Sequence, residues 1–333
     1  VMLGIQPRRV GPQIIVSSDL LADPHSDVLA STLRHHKGIR RMSHTMSPTV
    51  GGSRMSTNQQ SPMPGRDGAH HPGPRPYRPR KWYDWAFLIA AALGLLFFGI
   101  GEMTDIVDDP GAGGVALIAA LIEIAIFALI VRFLMPVDRF PRTRIDIVSA
   151  VIWGGLIAAG IAGNLNSLGT GTLIAPFSEE LTKVVGVLVV LGYSAIVVTP
   201  AGGFVIGFVI GASFEVVENI GYITGADTNG GDAVSTALAR TWIGFALHPM
   251  WVAVTGAALA YALTQRSTRG WLAFAGAVIG AVILHGVWDN VAIPVVLALV
   301  YVVIVVTVVV VGFRVRRGPA APATLLRRPV LDT

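Results

Sequence analysis

Apolar residues in this chain run in long blocks, with polar residues confined mainly to the gaps between them. From Trp85 onward there are eight such segments, at about 85–101, 114–135, 146–164, 174–198, 202–223, 237–263, 271–289 and 294–313. Each approaches the roughly 20 residues that a helix needs to cross hydrocarbon. The pattern predicts an all-α fold, a polytopic membrane helical bundle of about eight transmembrane helices.

Two segments carry stripes of small residues. The fifth has Gly203, Gly207 and Gly211, and the seventh has Ala273, Ala277 and Ala281, both at a spacing of i, i+4, i+8. Such stripes let helices approach closely where lipid supplies no hydrophobic drive between them. Continued by four residues at a time, the first stripe reaches Glu215 and Asn219, and the second reaches His285 and Asp289. The polar groups are therefore expected on packed faces.

Composition agrees with this picture. Of 333 residues, 53% are hydrophobic and 14% charged, far from the roughly 25% charged residues of soluble domains. Mean hydropathy is +0.63. There is no cysteine, which excludes disulfides, thiolate metal sites and a cysteine nucleophile. Residues 1–81 are rich in Pro, Ser, Arg and His without a period, and read as a disordered polybasic tail dispensable for chemistry. No apolar h-region occurs in the first 30 residues, so no signal peptide is expected there, and Met42 and Met55 are alternative starts to Met2. Residues 82–313 form the expected transmembrane domain, and 314–333 a basic C-terminal tail.

The formal charge of +5 is unevenly spread. Basic clusters at Arg75, Arg78, Arg80 and Lys81, at Arg139, Arg142 and Arg144, at Arg266 and Arg269, and at Arg314, Arg316 and Arg317 fall on one side if all eight segments cross. The opposite loops carry Asp105, Asp108, Asp109, Asp227 and Asp232. This asymmetry predicts a cell-membrane protein with both termini cytoplasmic, and it accounts for the basic residues without nucleic acid.

Ionisable residues inside the spans cost roughly 2.5–3.5 kcal/mol each on insertion scales, so they need a function or a partner. The fourth span holds Glu179, Glu180 and Lys183, the fifth Glu215, Glu218 and Asn219, the sixth His248, and the seventh His285 and Asp289. All fall in the outer half of the membrane in this topology. Glu179 and Lys183 are i, i+4, the favourable order for a helical ion pair, and Glu180 is turned roughly 100° from Glu179 and left free. Glu215 and Glu218 share a face, as paired general acids or bases do. Asp289, at i+4 from His285, can orient that imidazole or join it as a ligand. Two imidazoles with carboxylates also suit zinc, the candidate ligands being Glu180, Glu218, His248 and His285. Glu123 in the second span has no assigned role. Neither an H-E-x-x-H helix nor a G-x-G-D pattern is present, and Ser213 lacks the glycine that follows a rhomboid serine.

Together these residues resemble a known family. Glu179-Glu180-Leu181-Thr182-Lys183 matches E-E-x-x-K, and Phe214-Glu215-Val216-Val217-Glu218-Asn219 matches F-E-x-x-E-N. His248 and the H-x-x-x-D run from His285 to Asp289 follow in order. The resemblance is to the PrsW family of bacterial intramembrane proteases. More distantly the chain is similar to CAAX prenyl proteases, which usually have His where Glu218 stands, and to bacteriocin-immunity membrane proteins. It implies an endopeptidase, metallo- or glutamic-type, acting on a single-span membrane protein such as an anti-sigma factor in envelope-stress signalling. On this reading Glu180 activates water, and Glu179 assists it or pairs with Lys183. Glu218, His248 and His285 complete the centre, Asn219 holds the scissile carbonyl, and Lys183, Glu215 and Asp289 orient the rest. The rival readings are an ion- or proton-coupled transporter, against which the lack of an internal repeat counts, and a non-catalytic receptor or scaffold.

Overall fold

The structure, a computed structural model, describes residues 81–99, 106–167, 171–194, 198–226 and 231–318. The expectations for the N-terminal tail, for Asp105 and Asp227, and for the tail beyond residue 318 fall outside these residues. The described chain is all-helical. Helix α1 spans Lys81–Gly94, α2 Pro110–Leu134, α3 Arg144–Asn166, α4 Gly171–Tyr193, α5 Pro200–Thr224, α6 Ala233–Leu238, α7 Leu247–Gln265, α8 Thr268–Asn290 and α9 Pro294–Arg316.

Side-chain caps set several helix starts by satisfying the first free N–H groups. Asp109 accepts from Gly111 N and Ala112 N, both at 3.0 Å. Thr143 and Asp146 form a reciprocal capping box at α3. Thr199, Asp232 and Ser267 cap α5, α6 and α8. Proline stands at the opening turn of α2, α5 and α9, where its missing N–H costs nothing.

Among the described residues six stretches are long and apolar enough to cross a membrane, which makes the chain a multi-pass membrane protein. The expected count was eight. The first expected span contains only a short apolar helix, Trp85–Gly94. The fourth, α4, is long enough at 23 residues but carries Glu179, Glu180 and Lys183. The sixth is one stretch by length, Ala233–Gln265, but is not one helix. It runs from α6 through a π-helical turn at Ala239–Ile243 and breaks before α7, with Ala246 at φ 62°.

The core is the antiparallel pair α5 and α7. A Cβ added at Gly203, Gly207 or Gly211 would run into the backbone of Gly256, Val252 and His248 respectively, and one at Gly256 into Gly203. The glycine stripe thus brings two backbones into direct contact, as expected from its spacing. The alanine stripe on α8 serves this purpose only near the site. Ala281 is buried, Ala277 half-buried and Ala273 exposed.

These contacts order the two ends of the bundle. Gly202 lies against Pro141, and Phe204 reaches Gly312 near the end of α9. Arg139 lines one cleft with Phe313, Arg316 and Arg317. The start of α5, the ends of α7 and α9, and the α2–α3 connection therefore share one end, which is the basic one. At the other end Ala116 and Ala119 of α2 pack with Ile223 and Ala237, close to the Asp109 and Asp232 caps. Along α5, Glu215 is about 22 Å from the basic end and about 14 Å from the other, at 1.5 Å per residue.

Gly207→Leu should force α5 off α7, costing about 1–3 kcal/mol or more. Gly276→Leu should be tolerated, because nothing lies within 4 Å of a Cβ there. Thermal unfolding of the two variants in detergent checks this: the first midpoint falls and the second stays near wild type.

Candidate active site

Helix α4 is anchored beside the site by its own irregularity. Pro176 has no N–H, which frees the Thr172 carbonyl from its helical partner. Asn290 Nδ2 of α8 donates to that carbonyl at 2.9 Å and to Gly286 O at 2.9 Å. One turn further on, Glu179, Glu180 and Lys183 are all buried.

Their pairing differs from the expectation that Lys183 takes Glu179 and leaves Glu180 free. Lys183 Nζ is 2.7 Å from Glu180 Oε1 and 3.6 Å from Glu179 Oε2. Asn166 of α3 explains the shift, because its Nδ2 donates to Glu179 Oε1 at 2.9 Å and draws that carboxylate aside. Ser178 in turn donates to Asn166 Oδ1. Glu179 Oε2 and Glu180 Oε2 are both buried without a hydrogen-bond partner.

The break between α6 and α7 is held by Glu215. Its carboxylate accepts from Ala246 N at 2.7 Å and His248 N at 3.1 Å, capping the opening turn of α7 from a neighbouring helix. Tyr301 of α9 donates to Phe245 O at 3.0 Å on the same break. His248 is thereby fixed at the first turn of α7. Its Nδ1 lies 2.7 Å from Lys183 Nζ and its Nε2 3.0 Å from Glu218 Oε2. An ammonium only donates, so Nδ1 accepts and Nε2 carries the proton toward Glu218. The Phe214 ring packs on both partners, 4.1 Å from Lys183 Nζ and 5.1 Å from the His248 ring.

His285 of α8 closes the group. Its Nδ1 is 3.1 Å from Glu180 Oε1, and its Nε2 is 3.2 Å from Asp289 Oδ2 and 3.7 Å from Glu179 Oε2. The indole of Trp251 stacks on it with centroids 4.7 Å apart. Four helices therefore deliver Glu179, Glu180, Lys183, Glu218, His248, His285 and Asp289 to one cluster. Glu215 and Asn219 adjoin it through backbone and amide contacts.

The sequence of residues 144–312 matches the description PrsW family intramembrane metalloprotease, over just more than half of the chain. The chain belongs to the PrsW family. No curated protein and no solved structure matches it.

For a PrsW metalloprotease the residues present fit a metal ion. Glu179, His248 and His285 each offer one ligand atom, all within 4.8 Å of one another and all buried. Glu179 Oε2, which accepts no hydrogen bond, is among the carboxylate atoms available. Glu180, expected among the ligands, is instead paired with Lys183. At formal charges, the four carboxylates of Glu179, Glu180, Glu218 and Asp289 exceed the two fixed cations, Lys183 and Arg240, by two. A divalent ion balances that excess.

Two contributors went unnoticed in the sequence. Arg240 donates to Glu218 Oε2 and to Asn219 Oδ1, each at 2.6 Å. An arginine inside the apolar block at 237–263 was the available signal, since such a charge needs a partner. Asn166 closes the third apolar block and carried no comparable signal. Glu123, left without a role, accepts from Asn219 Nδ2 at 2.8 Å and Thr241 Oγ1 at 3.0 Å.

Glu215→Gln should leave one buried N–H at the break unpaired, costing about 1–3 kcal/mol. The expected outcome is a lower unfolding midpoint together with reduced activity of the protein that remains folded, read by thermal unfolding and a cleavage assay on the same preparation.

Proposed function

We propose that this PrsW family protein is an endopeptidase that hydrolyses a peptide bond of a membrane-anchored protein, near the outer surface of the cell membrane. The observation that carries this reading is that two buried carboxylate oxygens, Glu179 Oε2 and Glu180 Oε2, accept no hydrogen bond in a cluster that holds two imidazoles. Buried acceptors normally find a donor, whereas hydrolysis needs acceptors left for a ligand ion and for the proton of water.

Glu179 and the Nδ1 sides of His248 and His285, which both face Glu180, would hold the ion, taking the place of the Lys183 contact at His248, and zinc is the best match to this donor set. When bound it would supply Lewis-acid polarisation of the scissile carbonyl. Glu180 is the proposed base. Its Oε1 is fixed by Lys183, which leaves Oε2 to accept the proton from the attacking water. Asp289 orients His285 from its Nε2 side, and Glu218 orients His248 in the same way. Asn219 has its amide engaged by Glu123 and Arg240, and a second N–H remains on Nδ2 for the scissile carbonyl.

The orientation follows from the basic end. Arginine clusters in the α2–α3 and α7–α8 connections and at the end of α9 favour the cytoplasm for that end, and with it the C-terminus; the N-terminus joins it if the first apolar segment also crosses. The cluster, displaced toward the opposite end, then faces a peptide bond at the outer rim. A single-span protein, anti-sigma-factor-like by family resemblance, is the substrate class this placement suits.

The experiment uses the full chain in nanodiscs with a single-span reporter, metal content being read by mass spectrometry on the same samples. Glu180→Gln should keep the ion and lose about 10²-fold or more in cleavage rate. His285→Ala and Glu179→Ala should lose both ion and cleavage. Near-normal cleavage by a well-folded Glu180→Gln sinks the assignment of the base, and cleavage surviving in all three variants sinks the proposed function.

A further inference from the structure

Arg240 and Glu123 lie outside every motif that marks the site, on helices that contribute none of its catalytic candidates. The contacts of Arg240 nevertheless all fall within about one turn of α5. Its Nη2 is 2.6 Å from Glu218 Oε2, its Nε is 2.6 Å from Asn219 Oδ1, and its guanidinium lies 4.1 Å over the Tyr222 ring. A planar fork with two donors and a stacking face fits this surface, whereas an ammonium has donors but neither the fork nor the face.

The carboxylate oxygen that Arg240 grips is the one that accepts from His248. Glu218 Oε2 takes Arg240 Nη2 at 2.6 Å and His248 Nε2 at 3.0 Å. Glu123, fully buried, acts one step further back. Its Oε1 accepts both Asn219 Nδ2 and Thr241 Oγ1, and this turns the Asn219 oxygen toward Arg240. Glu123, Asn219, Arg240, Glu218 and His248 thus form one continuous series of hydrogen bonds that ends on the imidazole. The series is also graded in exposure. The side chains of Arg240, Asp289 and Glu218 are 25%, 23% and 18% exposed, against 0–7% for Glu179, Glu180, Lys183, His248 and His285. Arg240 stands at the mouth of the cluster and reaches inward.

We infer that Arg240, braced by Glu123 through Asn219, is a positioning residue that holds Glu218 against His248 Nε2 and so keeps His248 Nδ1 turned toward Lys183 and Glu180. The inference rests on the protease reading for its kinetic consequence, but not for its geometric one. Without the guanidinium, Glu218 keeps one partner instead of two, and the π-helical turn at Ala239–Ile243 no longer fixes where it points. The imidazole then loses the acceptor that sets its tautomer and its ring plane.

Two readouts on the full-length protein in nanodiscs test this. In cleavage of a single-span reporter, Arg240→Met should lower kcat about 100-fold with KM within about threefold, because misplacing a reacting group costs rate rather than binding. Arg240→Lys should recover a large part of the loss, and Glu123→Leu should reproduce it in smaller measure. In a Glu218→Gln background, Arg240→Met should add little, since the group that it holds is already altered. The second readout needs no substrate. Nitrogen-15 signals of labelled histidine, with His248 assigned through His248→Gln, should move in Arg240→Met and return toward wild type in Arg240→Lys.

A KM change alone, an undiminished further loss in the Glu218→Gln background, or unchanged His248 signals in a folded Arg240→Met would overturn the inference. If the wild-type protein cleaves nothing, the proposed function falls and the histidine signals still decide the positioning role.

Discussion

The carboxylate of Glu215 accepting two backbone N–H groups at the break between α6 and α7 is the interaction on which the site depends. A broken helix inside a membrane exposes donors that no water can satisfy, and the cost of leaving them unpaired is several kcal/mol each. Glu215 meets that demand from α5. In doing so it turns one long apolar stretch into two pieces that aim different side chains inward, Arg240 from the first and His248 from the second. A continuous helix would set those two residues more than two turns apart along one rod, and they could not both grip Glu218 Oε2.

The break works only because the rest of α7 is locked. Gly203, Gly207 and Gly211 bring the α5 backbone against Gly256, Val252 and His248, so the register between the two helices is fixed by main chain rather than by flexible side chains. Glu215 is the next position on that same stripe. The glycines therefore act on the chemistry at a distance of one helical turn: they set how far the Glu215 carboxylate stands from the first turn of α7.

Much of this was legible in the sequence, and the limits have physical causes. The clustering of Glu179, Glu180, Glu218, His248 and His285 followed from the depth of each in its apolar block, and the glycine stripe from its spacing. The break at Ala246 was hidden, because Gly244-Phe245-Ala246 is apolar and an apolar run reads as unbroken helix. The span count suffered for a related reason: α4 is as long as a span and as charged as a site, and hydropathy alone cannot hold both. The swap of partners around Lys183 was invisible because it is decided by Asn166, a residue from another helix. Arg240 was overlooked although an arginine in an apolar block is itself a signal; the arginines were read as loop clusters that set topology, and Arg240 belongs to none of them.

Lys183 has a consequence for how the protein is made. During insertion a helix reaches the bilayer before its neighbours do, and any charge it bears must be tolerated alone. The two acids of α4 travel with their own counter-ion three and four residues away, so the most heavily charged helix of the bundle enters as a partly neutralised unit. Arg240 and Glu218 have no such relief within their own helices and find each other only across α5 and α6, which leave the ribosome consecutively. For Lys183 and Arg240 the order of charges along the chain thus matches the order of synthesis: each meets a carboxylate partner before the histidines of α7 and α8 arrive to complete the centre.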